Sequence, residues 1–259
     1  MKQNLFIKIG ALVSFIGVII VNSLANSLPI NGINTGAVSN LYPNLFVPAA
    51  FTFSIWGLIY FLLSLYTLYQ IGFFQKKKEP VNEVLIKRVG IYFIITSIAN
   101  MAWIFFWHYS LLWLSLIAMF VILFGLIKIA NIIKEEKLSR KEKFFISLPF
   151  NVYFGWITVA TIANIAAFLV SINWNGFGIS EIVWTIIVLF VGTLICIFRM
   201  FKERDIVYGL VFLWAYFGIL IKHLSIDGFY GQYPDIIMAV TFCMLAFLGS
   251  LFLLRKAKF

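Results

Sequence analysis

The chain has 259 residues and is strongly apolar: 63% are hydrophobic, 19% aromatic and 12% charged, and the mean hydropathy is +1.00. Soluble proteins are about 45–50% apolar and about 25% charged, so too few polar residues are present to cover a core, and a soluble globule is excluded. At about 20 residues per membrane span, the length allows roughly eight helices and no soluble catalytic domain. The formal net charge of +10 would suggest nucleic acid in a soluble protein, but here the position of the charges decides their meaning.

Apolar runs long enough to span a membrane occur eight times. They lie at about 5–26, 48–74, 90–108, 111–133, 144–171, 182–200, 206–222 and 235–254. None of them alternates between apolar and polar residues as the strands of a membrane barrel do. The sequence therefore predicts an all-α fold, a polytopic membrane bundle of eight transmembrane helices.

The first run has two interpretations. It follows Met1 and Lys2, and Ala25-Asn26-Ser27 resembles the cleavage site of a signal peptide. The run is long for the apolar part of a signal peptide, so we expect an uncleaved helix.

The connection after the first run, residues 27–47, carries no charge. It contains Pro29, Gly32, Gly36, Pro43 and several Asn residues, a composition that favours turns over a further helix. Because it is apolar for a surface loop, we expect it to fold over the helix bundle as a lid. A passive linker is the alternative.

The basic residues sort almost completely to one side of the predicted membrane. With eight helices, 19 of the 20 lie on the side of both termini, and only Lys222 lies on the other. The 19 are Lys2, Lys8, Lys76, Lys77, Lys78, Lys87, Arg88, Lys128, Lys134, Lys137, Arg140, Lys141, Lys143, Arg199, Lys202, Arg204, Arg255, Lys256 and Lys258. The positive-inside rule then predicts cytoplasmic termini and a multi-pass protein of the plasma (inner) membrane, without a nucleic-acid partner.

Residues suited to ion transport or catalysis are scarce. Every Asp and Glu lies at or near a predicted membrane surface, whereas ion-coupled transport needs ionisable groups at depth. His108 and His223 both lie near helix ends, and Cys196 and Cys243 lie inside apolar runs, so neither a metal site nor a disulfide is indicated. No motif of covalent catalysis or zinc binding is present, so the sequence does not indicate an enzyme.

Uncharged polar and aromatic residues lie at one predicted depth. Trp56, Asn100 and Asn164 are each seven or eight residues from the outer end of their helices, or roughly 10–12 Å at 1.5 Å per residue. Buried Asn amides and indole N–H groups need partners, so these residues predict a ligand site. Trp103 lies one turn outward from Asn100, and Trp156 two turns below Asn164.

A structural role is the alternative for each of these residues alone. Asn and small residues pack membrane helices together, and Trp residues form belts at membrane surfaces. Trp107, Trp113 and Trp174 fit such a belt. Trp56 and Trp156 lie too deep for it.

Three segments together resemble the tryptophan-rich sensory protein family, also called TspO/MBR or the translocator protein family. Residues 46–60, FVPAAFTFSIWGLIY, are similar to its proline-opened second helix. Residues 100–106, NMAWIFF, are similar to the N-x-x-W-x-x-F pattern of its third helix. Residues 148–164, LPFNVYFGWITVATIAN, resemble its fifth helix, although two extra residues separate Pro149 from Trp156.

The resemblance implies a division of the chain and a set of site residues. Residues 1–171 correspond to the five-helix ligand-binding unit, and residues 172–259 add three helices without counterpart in short members. The implied site lies among the five helices under the first loop. The residues matching positions that line or support it are Trp56, Asn100, Trp103, Trp156, Ala160 and Asn164.

The leading functional hypothesis is a membrane sensor or carrier that binds a hydrophobic planar ligand, either a porphyrin or other tetrapyrrole or a sterol-like molecule. No cofactor is required, and porphyrin or haem would enter as the ligand. A porphyrin-degrading enzyme and a membrane scaffold or assembly factor are the alternatives. The last three helices suit a partner protein or a homodimer face equally well, and the sequence does not distinguish the two.

Overall fold

The computed structural model describes residues 2–28, 30–75 and 82–256, and within these ranges it contains long helices and no strand. The eight long helices are α1 (Lys2–Ser27), α2 (Ile55–Gln70), α3 (Glu83–His108), α4 (Leu112–Lys134), α5 (Leu148–Ser171), α6 (Glu181–Glu203), α7 (Ile206–Leu224) and α8 (Pro234–Lys256). All eight belong to segments long and apolar enough to cross a membrane. The predicted all-α fold of eight spans is confirmed.

The side of the membrane on which each connection lies stays a prediction. Several residues of that prediction, Lys76, Lys77, Lys78 and Lys258, lie outside the described residues, as does Pro29 of the first loop.

The start of α3 differs from the sequence prediction, which placed it at residue 90. The helix begins at Glu83, because the Asn82 carboxamide oxygen accepts hydrogen bonds from the N–H groups of Val84 and Leu85, both at 3.1 Å. The charges at Lys87 and Arg88 lower the hydropathy of this stretch without ending the helix. Hydropathy therefore misses its first two turns.

The segment before α5 winds more loosely than an α-helix. A short helix over Arg140–Glu142 leads into a π-helical turn over Lys143–Ser147, and the Leu148 N–H donates to the Lys143 carbonyl. Pro149 follows directly; it has no N–H, and its ring clashes with a regular preceding turn. The wider turn accommodates this proline, so one continuous helical segment reaches Ser171.

The chain folds as two compact units. The first contains Met1–Val38 and Ile55–Ile157, and the second contains Ser39–Ser54 and Thr158–Phe259. Helix α5 passes from one to the other at residue 157. The connection between α1 and α2 is likewise divided.

Aromatic side chains from four helices form the core of the first unit. Tyr66 of α2 contacts Phe93 of α3 and Phe150 of α5 edge-on, with ring centroids 5.3 and 4.8 Å apart. Phe15 of α1 packs against Phe93 at 5.8 Å. Such pairs stabilise a membrane protein by close packing, since lipid removes the hydrophobic drive between helices.

The core of the second unit lies between α6, α7 and α8. Tyr216 of α7 packs edge-on against Phe247 of α8 at 5.0 Å, and its hydroxyl donates to the Leu189 carbonyl of α6 at 2.7 Å. Gly192 makes this approach feasible, because a Cβ there would lie 2.6 Å from the Tyr216 hydroxyl.

The first loop, residues 27–47, is not made of turns alone. It contains a single 3₁₀ turn, Ile30–Gly32, and a six-residue helix, Thr35–Asn40. Asn31 has φ +55° in the 3₁₀ turn, a left-handed conformation that asparagine tolerates better than most residues. The expectation of turns without a helix is therefore wrong for Thr35–Asn40, although this helix is far too short to span a membrane.

Candidate functional site

Four aromatic residues of the first unit form what we call the Trp56 cluster: Trp56 and Tyr60 of α2, and Tyr153 and Trp156 of α5. The indole of Trp56 stacks on Tyr60 one turn later, with centroids 5.3 Å apart. It meets Tyr153 and Trp156 edge-on at 6.0 and 6.2 Å. Trp56 is partly exposed, whereas Tyr153 and Trp156 are buried. The cluster thus presents one accessible indole backed by three other rings.

A polar contact joins this cluster to α1 and α3. Asn100 is 1% exposed, and its side-chain N–H group points to the Tyr153 hydroxyl, 3.5 Å away. Its carboxamide oxygen accepts a hydrogen bond of 2.9 Å from Asn22 of α1. Asn22 also donates to the Val18 carbonyl of its own helix at 2.9 Å. The buried amides therefore satisfy each other, as their burial in a low-dielectric interior requires.

Trp103 belongs to a second aromatic pair on α3. Its ring is buried and stacks on Trp107, one turn further along, with centroids 5.7 Å apart. The Trp107 indole N–H donates to the Thr35 carbonyl at 3.1 Å. Through Trp107, this pair therefore holds the first loop at the end of α3.

His108 holds the same loop segment with both ring nitrogens. Its Nδ1 lies 2.9 Å from the Ile30 carbonyl, and its Nε2 lies 3.0 Å from the Thr35 hydroxyl. A carbonyl only accepts, so Nδ1 carries a proton and donates to Ile30. Asn31 donates in return to the His108 carbonyl at 3.0 Å. We call this set of contacts the His108 clasp.

The remaining two predicted site residues belong to the second unit. Ala160 is half-buried and Asn164 is buried, both on the part of α5 beyond residue 157. Their membership of the ligand site stays a prediction, as does that of Trp56, Asn100, Trp103 and Trp156. What the structure does bring together within the first unit is Trp56, Trp156 and, through Tyr153, Asn100.

The second half of the first loop is held by α6 and α7. The Leu45 N–H donates to the Glu181 carboxylate at 3.0 Å, and the Leu45 carbonyl accepts from His223 Nε2 at 2.9 Å. The Ala49 N–H donates to the Gly218 carbonyl at 2.9 Å. Gly218 has to be glycine here, because a Cβ would collide with the hydroxyl of Thr52. Main-chain atoms of residues 45–52 are thus held against α6 and α7 within the second unit.

A buried ion pair closes the turn between α6 and α7. Asp205 accepts from the Tyr208 N–H at 3.1 Å and from the Arg199 guanidinium at 3.4 Å. Burial raises the pKa of the Asp205 carboxyl above its usual range, while the hydrogen bond from Tyr208 and the charge of Arg199 oppose that rise. This pair lies far along the chain from the Trp56 cluster and serves the packing of the second unit.

Sequence reasoning overlooked three contributors to the site region. Tyr60 and Tyr153 lie inside the helix segments quoted above. Tyr60 follows Trp56 by one helical turn and Tyr153 precedes Trp156 by one turn, and this spacing could have indicated that their rings lie side by side. Asn22 was visible as an amide inside the first apolar run, but its pairing with Asn100 joins residues 78 positions apart. Among the described residues, no group of three or more His, Cys, Asp or Glu side chains could hold a metal ion.

Comparison with known proteins gives one match. The model of a family described as TSPO-like protein matches residues 8–253, a range that includes the last three helices. No curated protein and no solved structure matches the chain.

Proposed function

Because the chain belongs to the TSPO-like protein family, we propose that it is a sensor or carrier in the plasma membrane that binds a hydrophobic planar ligand at the Trp56 cluster. The ligand class is a porphyrin or other tetrapyrrole, or a sterol-like molecule. The observation that carries this proposal is the partly exposed Trp56 indole held between three further aromatic rings.

The chemistry of the cluster suits such a ligand. Flat conjugated rings bind to aromatic faces by offset stacking or edge contacts, each of which contributes about 0.5–1.5 kcal/mol beyond its buried area. Ligand sites generally add a few directional polar groups to an apolar wall. Here the Tyr153 ring contacts Trp56, and its hydroxyl accepts a hydrogen bond from the buried Asn100 amide.

In this proposal, the first loop is the lid of the site. The His108 clasp fixes residues 30–35 to the end of α3, beside the stacked Trp103 and Trp107. In the proposal, Trp103 and the clasp close the site after a ligand has entered.

Binding of protoporphyrin IX to the purified protein in lipid nanodiscs tests this function. Trp56→Ala is expected to weaken binding about tenfold, which corresponds to the loss of about 1.4 kcal/mol of aromatic contact. Asn100→Ala is expected to weaken binding as well, because it removes the buried amide that contacts the Tyr153 hydroxyl. Trp113→Ala is the matched control, because Trp113 is 56% exposed and lies on α4. Equal affinity of the Trp56→Ala and Trp113→Ala proteins would exclude the Trp56 cluster as the site.

The same titration separates binding from degradation. A porphyrin spectrum that only shifts and quenches indicates binding. A spectrum that decays under light and oxygen in wild-type protein, but not in Trp56→Phe, would favour a porphyrin-degrading enzyme. The lipid bilayer is the surrounding partner in either case, and a homodimer through the last three helices stays a prediction.

A further inference from the structure

Helix α2 carries three buried polar atoms without a hydrogen-bond partner among the described residues. They are the hydroxyls of Tyr60 and Tyr66 and the side-chain carbonyl oxygen of Gln70. Tyr66 and Gln70 are 0% exposed. The three residues span ten positions, or about 15 Å of helix.

Two buried threonine hydroxyls of the first unit are satisfied by their own helices. Thr67 donates to the Leu63 carbonyl at 2.8 Å, and Thr96 donates to the Phe93 carbonyl at 2.9 Å. A phenol hydroxyl is too far from its own backbone to do the same. Tyr60 and Tyr66 therefore depend on something outside α2.

An unsatisfied buried hydroxyl costs about 1–3 kcal/mol, and native proteins avoid this cost with protein partners or bound water. Two tyrosines and one glutamine on a single helix would concentrate that cost. The surroundings of Tyr66 are closed to a larger molecule, since its ring is fully enclosed between Phe93 and Phe150. Water is the molecule of matching size and chemistry.

We propose that separate bound waters satisfy the buried polar atoms of α2, namely the hydroxyls of Tyr60 and Tyr66 and the side-chain carbonyl of Gln70. At about 100° per residue, Tyr60 and Tyr66 leave the helix in directions roughly 120° apart, so each needs a water of its own. The side-chain nitrogen of Gln70 donates to the Lys8 carbonyl at 3.5 Å, so the Gln70 water lies near α1. Tyr60 stacks on Trp56, so its water lies beside the Trp56 cluster.

Radiolytic footprinting of the wild-type protein in nanodiscs tests the water directly, because hydroxyl radicals formed from bound water oxidise the side chains beside it. Tyr216 is the matched control: it is also 0% exposed, but its hydroxyl is satisfied by the Leu189 carbonyl at 2.7 Å. Oxidation of Tyr66 is expected to exceed that of Tyr216 several-fold. Equal oxidation of the two overturns the proposal.

The melting temperature of Tyr66→Phe gives a second test, because it is expected to change in opposite directions for a hydrated and for a dry hydroxyl. If the hydroxyl is bridged by water, its removal leaves the melting temperature unchanged or lower. If the hydroxyl is dry, its removal relieves an unsatisfied group and raises the melting temperature. A higher melting temperature of Tyr66→Phe overturns the proposal as well, whatever the footprint shows.

Discussion

The side-chain amides of Asn22 on α1 and Asn100 on α3 are hydrogen-bonded to each other, with 2.9 Å between Nδ2 and Oδ1. Replacing either Asn with Ala leaves the other amide with one partner fewer, so each variant is expected to lose about 1 kcal/mol of stability. In a double-mutant cycle followed by chemical unfolding in detergent, Asn22→Ala with Asn100→Ala should lose less than the sum of the two. Strict additivity would show that the contact contributes no coupling energy.

The His108 clasp is expected to control the mobility of the first loop. His108→Ala removes two hydrogen bonds to residues 30–35, so amide hydrogen exchange across Thr35–Asn40 should accelerate. Tyr109→Ala serves as the control, because the neighbouring Tyr109 side chain is exposed. If both variants exchange at the wild-type rate, other contacts hold the loop.

Gly218→Ala is expected to destabilise the second unit by about 1–3 kcal/mol, since the added methyl group would collide with Thr52. Shortening the opposing side chain with Thr52→Ala should restore part of the loss. Gly249→Ala is the matched helix control, as nothing lies within 4 Å of its added Cβ. Melting temperatures of the four proteins decide the point, and an unaltered Gly218→Ala protein would contradict the close contact.

Asp205 predicts a pH dependence with a definite sign. Its pKa is raised in the folded protein, so the folded state holds this proton more tightly than the unfolded chain does. The stability it contributes is complete below the unfolded pKa of about 4 and is lost as the pH rises through the raised value. The melting temperature of wild type minus that of Asp205→Asn should therefore fall as the pH rises above about 4.

The control for this pH series is Asp227→Asn, at an exposed position. A wild-type-minus-Asp205→Asn difference that stays constant or increases with pH would contradict the raised pKa.

Reporter fusions test the predicted sidedness. A fluorescent protein fused to the C-terminus should fold and fluoresce, and alkaline phosphatase at the same place should stay inactive, because the positive-inside rule places this end in the cytoplasm. Fusions after Gln232, between α7 and α8, should give the reverse result. The same result at both places would overturn the eight-helix orientation.

The spans were predictable from the sequence because the length and hydropathy of a single segment identify a membrane helix. The start of α3 was not predictable in this way, because the charges of Lys87 and Arg88 lower the hydropathy of its first two turns. The helix begins earlier, at the residue after the Asn82 cap. At the candidate site, Trp56 and Trp156 could be proposed from their depth. Tyr60, Tyr153 and Asn22 needed the packing of α1, α2, α3 and α5, which no local pattern specifies.

The division of the chain into two units was beyond the reach of sequence patterns for the same reason. The first loop has one composition throughout, yet residues up to Val38 belong to one unit and Ser39–Ser54 to the other. That boundary depends on contacts such as Leu45 with His223, which are 178 positions apart. Long-range contacts of this kind leave no periodic signal.

The strapping of residues 45–52 to α6 and α7 also dictates an order of events during synthesis. This segment leaves the ribosome long before Glu181, Gly218 and His223 exist, so the second unit cannot complete its folding until α7 has been made. A protein cut after Ser171 would retain five spans but lack every one of these partners. Helices α6 and α7 are therefore needed to fix residues 45–52 in place, and this segment becomes ordered only after both helices have been made.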